Sequence, residues 1–156
     1  MEPEIDPKDL RAAFGKFATG VTVITTQSGD TVHGMTANSF TSVSMSPPML
    51  LICIHNSARS LAAIQSAKAF GVSVLAAHQQ AVSTHFAGKP VLDHVAFCEG
   101  VGVPTIQGAV ARFGCTLEQA HVAGDHTILV GRIKAYVHAE DEPLLFCAGA
   151  YREIVA

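Results

Sequence analysis

The sequence of 156 residues is poor in charged side chains and contains no long hydrophobic run. Only 15% of it is charged, against about 25% in a typical soluble domain. A disordered chain would be rich in charge and poor in apolar residues, so that class is excluded. The longest apolar stretch, residues 47–54, is far shorter than the roughly 20 residues that a membrane helix needs. We therefore expect one folded domain over residues 1–156, no membrane segment, and a homo-oligomer interface that hides apolar surface.

The sequence also lacks paired cysteines, basic runs and an apolar leader. Its four cysteines form no C-x-x-C pair, which argues against a disulfide framework or a zinc site. Two pairs of potential metal ligands occur in the sequence, His94 with Cys98 and His121 with His126. Neither pair has a third ligand, so we expect no metal. A net charge of −3 argues against nucleic-acid binding. The acidic N-terminus predicts no secretory signal, and we expect a cytoplasmic protein with reduced thiols.

Short β-forming segments separated by turns dominate the rest of the sequence. Runs of β-branched and apolar residues predict strands at 21–26, 49–54, 70–75, 109–122, 127–138 and 144–151. Turn signals at 28–30 and 124–125 predict hairpins, and the turn-rich residues 91–104 predict a long loop. Six or seven mostly consecutive strands favour a mainly β fold with a largely antiparallel sheet that can close into a barrel.

Three short helices are predicted beside these strands. The first runs from residue 6 to residue 17, is capped by Asp6 and has one apolar face. The second covers residues 57–66 with Ser57 as its N-cap, and the third covers residues 79–86. A doubly wound α/β fold would need more regular crossover helices, so it is not favoured.

Three polar clusters are candidates for chemistry. Residues 34–44, rich in small hydroxyl side chains, would offer backbone N–H groups to a flat polar ligand, or would form an edge strand rich in serine and threonine. Residues 55–60 precede a helix whose N-terminus and Arg59 suit a phosphate, or Ser57 simply caps that helix and Arg59 lies in solvent. In Gly124–Asp125–His126, the histidine would hydrogen-bond a ligand or would be an ordinary turn residue.

Further short motifs lie between and around these clusters. They are Phe14–Thr25, Pro47–Pro48, Phe70–Leu75, Phe86–Gly88, Val130–Arg132 and Pro143–Tyr151. In its order and spacing the whole series resembles the short-chain flavin reductases, which are the reductase components of two-component flavin-dependent monooxygenases. The resemblance covers about residues 10–152. The chain departs from the family in having no tryptophan after Phe86–Gly88.

The resemblance implies a split β-barrel of the Greek-key, FMN-binding type with a few short helices, assembled as a homodimer. It implies that Thr36–Ser39 line the isoalloxazine ring and that residues 53–60 hold the ribityl chain and phosphate. It also implies that His126 is the catalytic histidine associated with the nicotinamide. The flavin-binding residues expected on this basis are Met35, Thr36, Ala37, Asn38, Ser39, Ser42, Cys53, Ile54, His55, Asn56, Ser57, Ala58, Arg59, Ser60, Phe86, Ala87 and Tyr151, together with His126.

The activity that the resemblance implies is hydride transfer from NADH or NADPH to N5 of FMN or FAD. The reduced flavin would then leave for a separate monooxygenase. No basic cluster marks a 2′-phosphate pocket, which favours NADH. Two alternatives remain open at this point: an FMN-dependent oxidase of the pyridoxamine-phosphate oxidase type, and a non-catalytic module that binds flavin or haem.

Overall fold

The computed structural model describes residues 1–156 and contains three helices and twelve strands. The helices are α1 Pro7–Phe14, α2 Arg59–Ala67 and α3 Gln80–Phe86. The strands are β1 Thr19–Gly20, β2 Thr22–Ser28, β3 Thr31–Ala37, β4 Thr41–Met45, β5 Pro48–His55, β6 Ala69–Val74, β7 Phe97–Cys98, β8 Thr105–Ile106, β9 Ala111–Ala123, β10 His126–His138, β11 Leu145–Cys147 and β12 Ala150–Arg152. All paired strands are antiparallel, as the sequence predicted. No helix combines the length and apolar character needed to cross a membrane.

Seven strands form the main sheet, in the order β3-β2-β6-β9-β10-β5-β4. Strands β3 and β4 therefore lie at its two opposite edges, although only residues 38–40 join them along the chain. The chain from Ala37 to Thr41 can span at most about 14 Å. In a flat sheet of seven strands, by contrast, the outer strands would lie about 29 Å apart. The sheet must therefore curl until its two edges approach each other.

The curled sheet does not close completely. Strands β3 and β4 do not pair with each other, so the barrel stays open along the line where they approach. We call this line the seam and define it as β3, β4 and residues 38–40. The result is the split, mainly β barrel that the resemblance implied.

Two buried clusters stabilise this arrangement. In the main core, Leu61 and Ile64 of α2 pack with strand residues such as Ile24 and Ile52. A second core beneath α3 includes Val23 of β2. Because successive side chains on a strand point to opposite faces, β2 contributes Val23 to one core and Ile24 to the other. Each fully buried aliphatic side chain of this size contributes about 1.5–3 kcal/mol.

The first helix differs in part from its prediction. Asp6 caps α1 as predicted, since its carboxylate accepts a hydrogen bond from the Lys8 N–H at 2.9 Å. The helix ends at Phe14 rather than residue 17, because the chain turns there to enter β1. The predicted apolar face is not covered within the chain: Phe14 is 71% exposed and Phe17 is 77% exposed.

Three other local predictions were wrong. The N-cap of α2 is Ala58, which makes no side-chain cap bond, rather than Ser57. Residues 91–104 are not all loop, because β7 forms there and pairs with β8. Residues 144–151 contain the β11–β12 hairpin instead of one strand, since the chain turns at Ala148 and Gly149, where φ is 52° and 75°. Together with the short strands β1 and β4, they raise the total from the expected six or seven to twelve.

Gly114 marks a point where β9 must have no side chain. A Cβ atom at this position would overlap the backbone carbonyl oxygen of Val101, which is itself 2% exposed. Gly114→Ala should lower the free energy of unfolding by about 1–3 kcal/mol, because backbone would have to move. Gly20→Ala is the matched control, since nothing lies within 4 Å of a Cβ built there. Thermal melts that give both variants the wild-type Tm would contradict this packing.

Candidate functional site

Ser39 bridges the seam with its side chain. Its hydroxyl accepts a hydrogen bond from the Cys53 N–H at 2.9 Å and donates one to the Cys53 carbonyl at 3.0 Å. The pairing of β4 with β5 ends at Thr41 opposite Leu51, so residue 39 would be the next partner of Cys53. The hydroxyl thus supplies both bonds that a paired strand residue would make. The two polar segments predicted from the sequence, 36–39 and 53–60, consequently lie side by side.

A cleft of about 220 Å³ opens beside the seam, between β3, α3 and the β11–β12 hairpin. Its walls combine aliphatic, aromatic and small polar residues. They are Val21, Thr36, Ala37, Asn38, Ser83, Ala87, Phe146 and Tyr151. Pockets that enclose a drug-sized ligand usually hold about 300–1,000 Å³. This cleft can therefore accept part of a ring system and must leave the rest of a nucleotide outside.

Hydrogen bonds tie the walls of the cleft together. The Thr36 hydroxyl donates to the Ser83 carbonyl at 2.6 Å, and the Ser83 and Tyr151 hydroxyls share a bond of 2.7 Å. Phe86 lies directly over Gly34, where an added Cβ would be 2.6 Å from its ring. Strand β3 pairs only with β2, so its outer edge leaves backbone N–H and C=O groups for a ligand.

A row of outward-facing side chains continues from the seam along β5. Ile52 and Ile54 are fully buried, so Cys53 and His55 point to the opposite face of the strand. His126 of β10 pairs directly with His55, which places both histidines on the same face. Cys53 and His55 are about 7 Å apart along the strand. The outward face thus runs from Ser39 past Cys53 to the two histidines.

Asp125 lies between the two histidines. Its carboxylate accepts a hydrogen bond from Nδ1 of His126 at 2.7 Å and lies 4.0 Å from Nε2 of His55. The hydrogen bond from His126, followed by the electrostatic attraction of His126 and then of His55, holds the pKa of Asp125 below its usual range. The carboxylate is therefore ionised at neutral pH. The three side chains are 44–79% exposed, so they are open to a ligand.

Asn56 fastens the loop after β5 to the turn between β9 and β10. Its side-chain amide donates to the Gly124 carbonyl at 3.2 Å, and its side-chain oxygen accepts from the Thr127 hydroxyl at 2.6 Å. Its backbone N–H donates to the Asp125 carbonyl at 2.9 Å. Because these bonds occupy its side chain, Asn56 positions the turn that carries His126.

The N-terminus of α2 follows this loop. Ala58 makes no side-chain cap bond, so no side chain covers the first N–H groups of the helix. Arg59, the first helical residue, is exposed. Uncapped N–H groups, the positive end of the helix dipole and a guanidinium together suit an anion such as phosphate.

Comparison with known proteins shows the family of the chain. Residues 14–155 match the flavin reductase like domain. The chain is 43% identical over 160 residues to the NADH-dependent flavin reductase of a Rhodococcus species, an alignment that covers 99% of this chain and 90% of that protein. The chain belongs to the flavin reductase family.

Two solved structures of flavin reductases show the same fold. One is the NADH:FAD oxidoreductase SgcE6 of Streptomyces globisporus in complex with NAD and FAD fragments. It has a TM-score of 0.89 and 41% identity, covering 99% of this chain and 98% of that one. The other is BorF, the flavin reductase component of a bacterial two-component tryptophan halogenase. It has a TM-score of 0.88 and 40% identity, covering 96% of this chain and 98% of that one.

In this flavin reductase, the structure brings many of the predicted site residues to the seam. Five line the cleft: Thr36, Ala37, Asn38, Ala87 and Tyr151. Ser39, Cys53 and residues 55–59 lie outside the cleft. They continue from the seam along the end of β5 to the start of α2. Ser42 is exposed on β4, beyond Ser39.

Other predicted site residues face away from the cleft. Met35 packs against the main core, Ile54 is fully buried and Ser60 is 8% exposed, so mainly their backbones are available to a ligand. Phe86 packs beside the second core and supports the cleft from behind. The hydroxyl of Ser57 lies 2.8 Å from Nδ1 of His55 instead of capping α2.

Four residues of the site were not predicted: Val21, Ser83, Phe146 and Thr127. The first three line the cleft, and Thr127 holds Asn56. Ser83 and Phe146 come from elements far from β3 in sequence, so only the tertiary fold brings them there. The β-branched pattern of β2 and β10 predicted strands at Val21 and Thr127 but not their place in the site.

Ser39 and Ser42 were both predicted to contact flavin, and the structure separates their roles. Ser39→Ala should leave the Cys53 N–H and carbonyl without their partner and lower the free energy of unfolding by about 1–3 kcal/mol. Ser42→Ala removes an exposed hydroxyl and should change it by less than about 0.5 kcal/mol. Urea unfolding of the two variants measures the difference. Equal stabilities would contradict the bridging role of Ser39.

Proposed function

We propose that this protein is an NADH-dependent flavin reductase, which transfers a hydride from NADH to N5 of FMN or FAD and releases the reduced flavin to a separate oxygenase. The observation that carries this proposal is the cleft at the seam, joined by one outward face to the Gly124–His126 turn. The chain is also 43% identical, over almost its full length, to an NADH-dependent flavin reductase.

The residues of the cleft fit part of a flavin ring system. Val21 and Phe146 supply apolar walls for a flat ring, while the free edge of β3 supplies backbone hydrogen-bonding groups. A bound flavin supplies the hydride acceptor and the electronic properties of the reaction. Backbone N–H groups near Ala37–Ser39 would hold the pyrimidine edge, where negative charge grows on reduction. A cleft of about 220 Å³ holds only part of the nucleotide, which suits a flavin that must be released.

The ribityl chain and phosphate would follow the residues after the seam. Ser39 contacts the backbone of Cys53, and the chain runs from there through residues 55–57 to α2. The uncapped helix end and Arg59 would then bind the phosphate. This path uses both polar segments that the sequence singled out.

His126 would orient the nicotinamide. It lies on the same outward face as Cys53 and His55, with its Nδ1 engaged by Asp125 and its Nε2 on the other side of the ring. Hydride transfer needs the nicotinamide against the flavin at about 3–3.5 Å, and a hydrogen bond from or to His126 restricts the nicotinamide to that approach. No protein nucleophile is needed for this reaction.

The proposed activity predicts that the purified protein oxidises NADH only when free FMN or FAD is added. Because no side chain accepts a hydride, NADH alone should not be consumed. Steady-state loss of NADH absorbance measures this, with NADPH as the comparison substrate. Absence of any flavin-stimulated oxidation would reject the proposal. A yellow protein that keeps FMN after dialysis and oxidises an amine without NADH would instead indicate an oxidase.

We also propose a separate oxygenase partner and a reducing, cytosolic setting. BorF is the flavin reductase component of a two-component tryptophan halogenase, and the same division of labour would suit a protein that releases its product flavin. All four cysteines are free, and burial raises the pKa of the Cys115 thiol to about 12, which keeps that thiol protonated. Free thiols of this kind fit a reducing compartment.

A homodimer would cover the apolar surface that the single chain leaves open. Phe14 at the end of α1 is 71% exposed, Phe17 just after the helix is 77% exposed, and Met45 on β4 is 91% exposed. We expect light scattering to give about twice the 16.3 kDa mass of one chain. Phe17→Ser should shift the equilibrium towards monomer, whereas Val155→Ser, which changes an exposed apolar residue at the chain end, should not. A monomeric wild-type protein at micromolar concentration would contradict the dimer.

A further inference from the structure

The proton positions on the two histidines can be assigned from their partners. Nδ1 of His55 accepts a hydrogen bond from the Ser57 backbone N–H at 3.1 Å. A backbone N–H is always a donor, so Nδ1 of His55 carries a lone pair and the ring proton is on Nε2. That Nε2–H is the group that lies 4.0 Å from Oδ2 of Asp125. His55 therefore presents a partial positive charge to the carboxylate.

The carboxylate in turn assigns the proton on His126. Oδ1 of Asp125 is 2.7 Å from Nδ1 of His126, and an ionised carboxylate only accepts hydrogen bonds, so the proton of His126 is on Nδ1. In the neutral ring, Nε2 is then an acceptor. The two oxygens of Asp125 face different histidines. The Nε2–H of His55, at 4.0 Å, is too far for a hydrogen bond, so it favours this orientation of the carboxylate only by weak electrostatic attraction. Asn56 restrains the backbone of the same turn through Gly124 and Asp125.

We propose that Asp125 is a positioning residue for His126, and that His55 and Asn56 hold Asp125 in place. Asp125 keeps the His126 proton on Nδ1, so that Nε2 can accept a hydrogen bond from the carboxamide NH₂ of the nicotinamide. The proposal rests on the proposed function, because it assigns a role to His126 in nicotinamide binding. The proposal adds that the orientation of the His126 ring depends on the loop after β5. That loop leads to the phosphate end of the proposed flavin site.

The hairpin itself does not explain this arrangement. Asp30 occupies the corresponding exposed turn between β2 and β3, also next to a glycine. It has no histidine beside it in the sequence. Aspartate is favoured in such turns for local reasons, so Asp30 provides a matched comparison in which the turn preference is present and the histidine pair is absent.

The test is Asp125→Asn, which keeps the size and turn preference of the residue and removes its charge. Nitrogen-15 NMR of the imidazole reports which nitrogen of His126 carries the proton. We expect the variant to populate the Nε2–H tautomer of His126 and to raise the KM for NADH about tenfold, the loss expected for one hydrogen bond. The KM for FMN should stay within about twofold of wild type. Asp30→Asn should leave both the tautomer and the two KM values unchanged.

Two further variants separate positioning from folding. His55→Asn retains an acceptor for the Ser57 N–H but removes the Nε2–H group, so it should raise the KM for NADH by about threefold. His126→Ala shows how far the KM for NADH rises when the His126 ring is absent. In the His126→Ala background, Asp125→Asn should not raise the KM for NADH further.

The outcomes distinguish this proposal from the function on which it rests. If Asp125→Asn matches Asp30→Asn in tautomer and in KM for NADH, Asp125 does not position His126. If Asp125→Asn raises the KM for FMN as much as that for NADH, its role is structural and the proposal is also wrong. A wild-type protein without flavin-stimulated NADH oxidation would reject the proposed function, while the His126 tautomer would still decide the positioning role.

Discussion

The short connection between the two edges of the main sheet is the constraint on which this structure depends. Residues 38–40 join β3 to β4, although five other strands lie between them in the sheet. The sheet can satisfy this only by curling, and the curled sheet leaves a seam where the edges approach without pairing. Ser39 shows how close they come, because its hydroxyl replaces a strand residue opposite Cys53. The seam is therefore set by covalent geometry rather than by any single contact.

The candidate site follows from this seam. Unpaired backbone groups at the edge of β3 would be an aggregation risk if they were simply exposed. Here α3 and the β11–β12 hairpin stand beside them and form a small cleft, held by Thr36, Ser83 and Tyr151. On the other side, the alternation of β5 turns Ile52 and Ile54 inward, which presents Cys53 and His55 outward. One arrangement of strands thus provides a place for a ring and a neighbouring face for a second nucleotide.

Local sequence signals predicted the parts of the fold that depend on local physics. The turn glycines predicted the β2–β3 and β9–β10 hairpins, and Asp6 predicted the start of α1. The signals failed where tertiary contacts decide the outcome. Ser57 has the chemistry of a helix cap, but its hydroxyl bonds to His55 and Ala58 occupies the N-cap position. The walls of the cleft come from β3, α3 and the β11–β12 hairpin, so periodicity within any one segment does not reveal Ser83 or Phe146. Most of the site was predicted through the family resemblance, which carries such tertiary information.

The most direct test of this account is a crystal structure of the protein with FMN and NAD⁺ bound together. The account predicts the isoalloxazine ring against Thr36–Asn38 at the seam, the phosphate near Arg59 and the nicotinamide carboxamide within hydrogen-bond distance of His126. A flavin bound away from residues 36–39, or a nicotinamide on the opposite face of the sheet from His126, would contradict it.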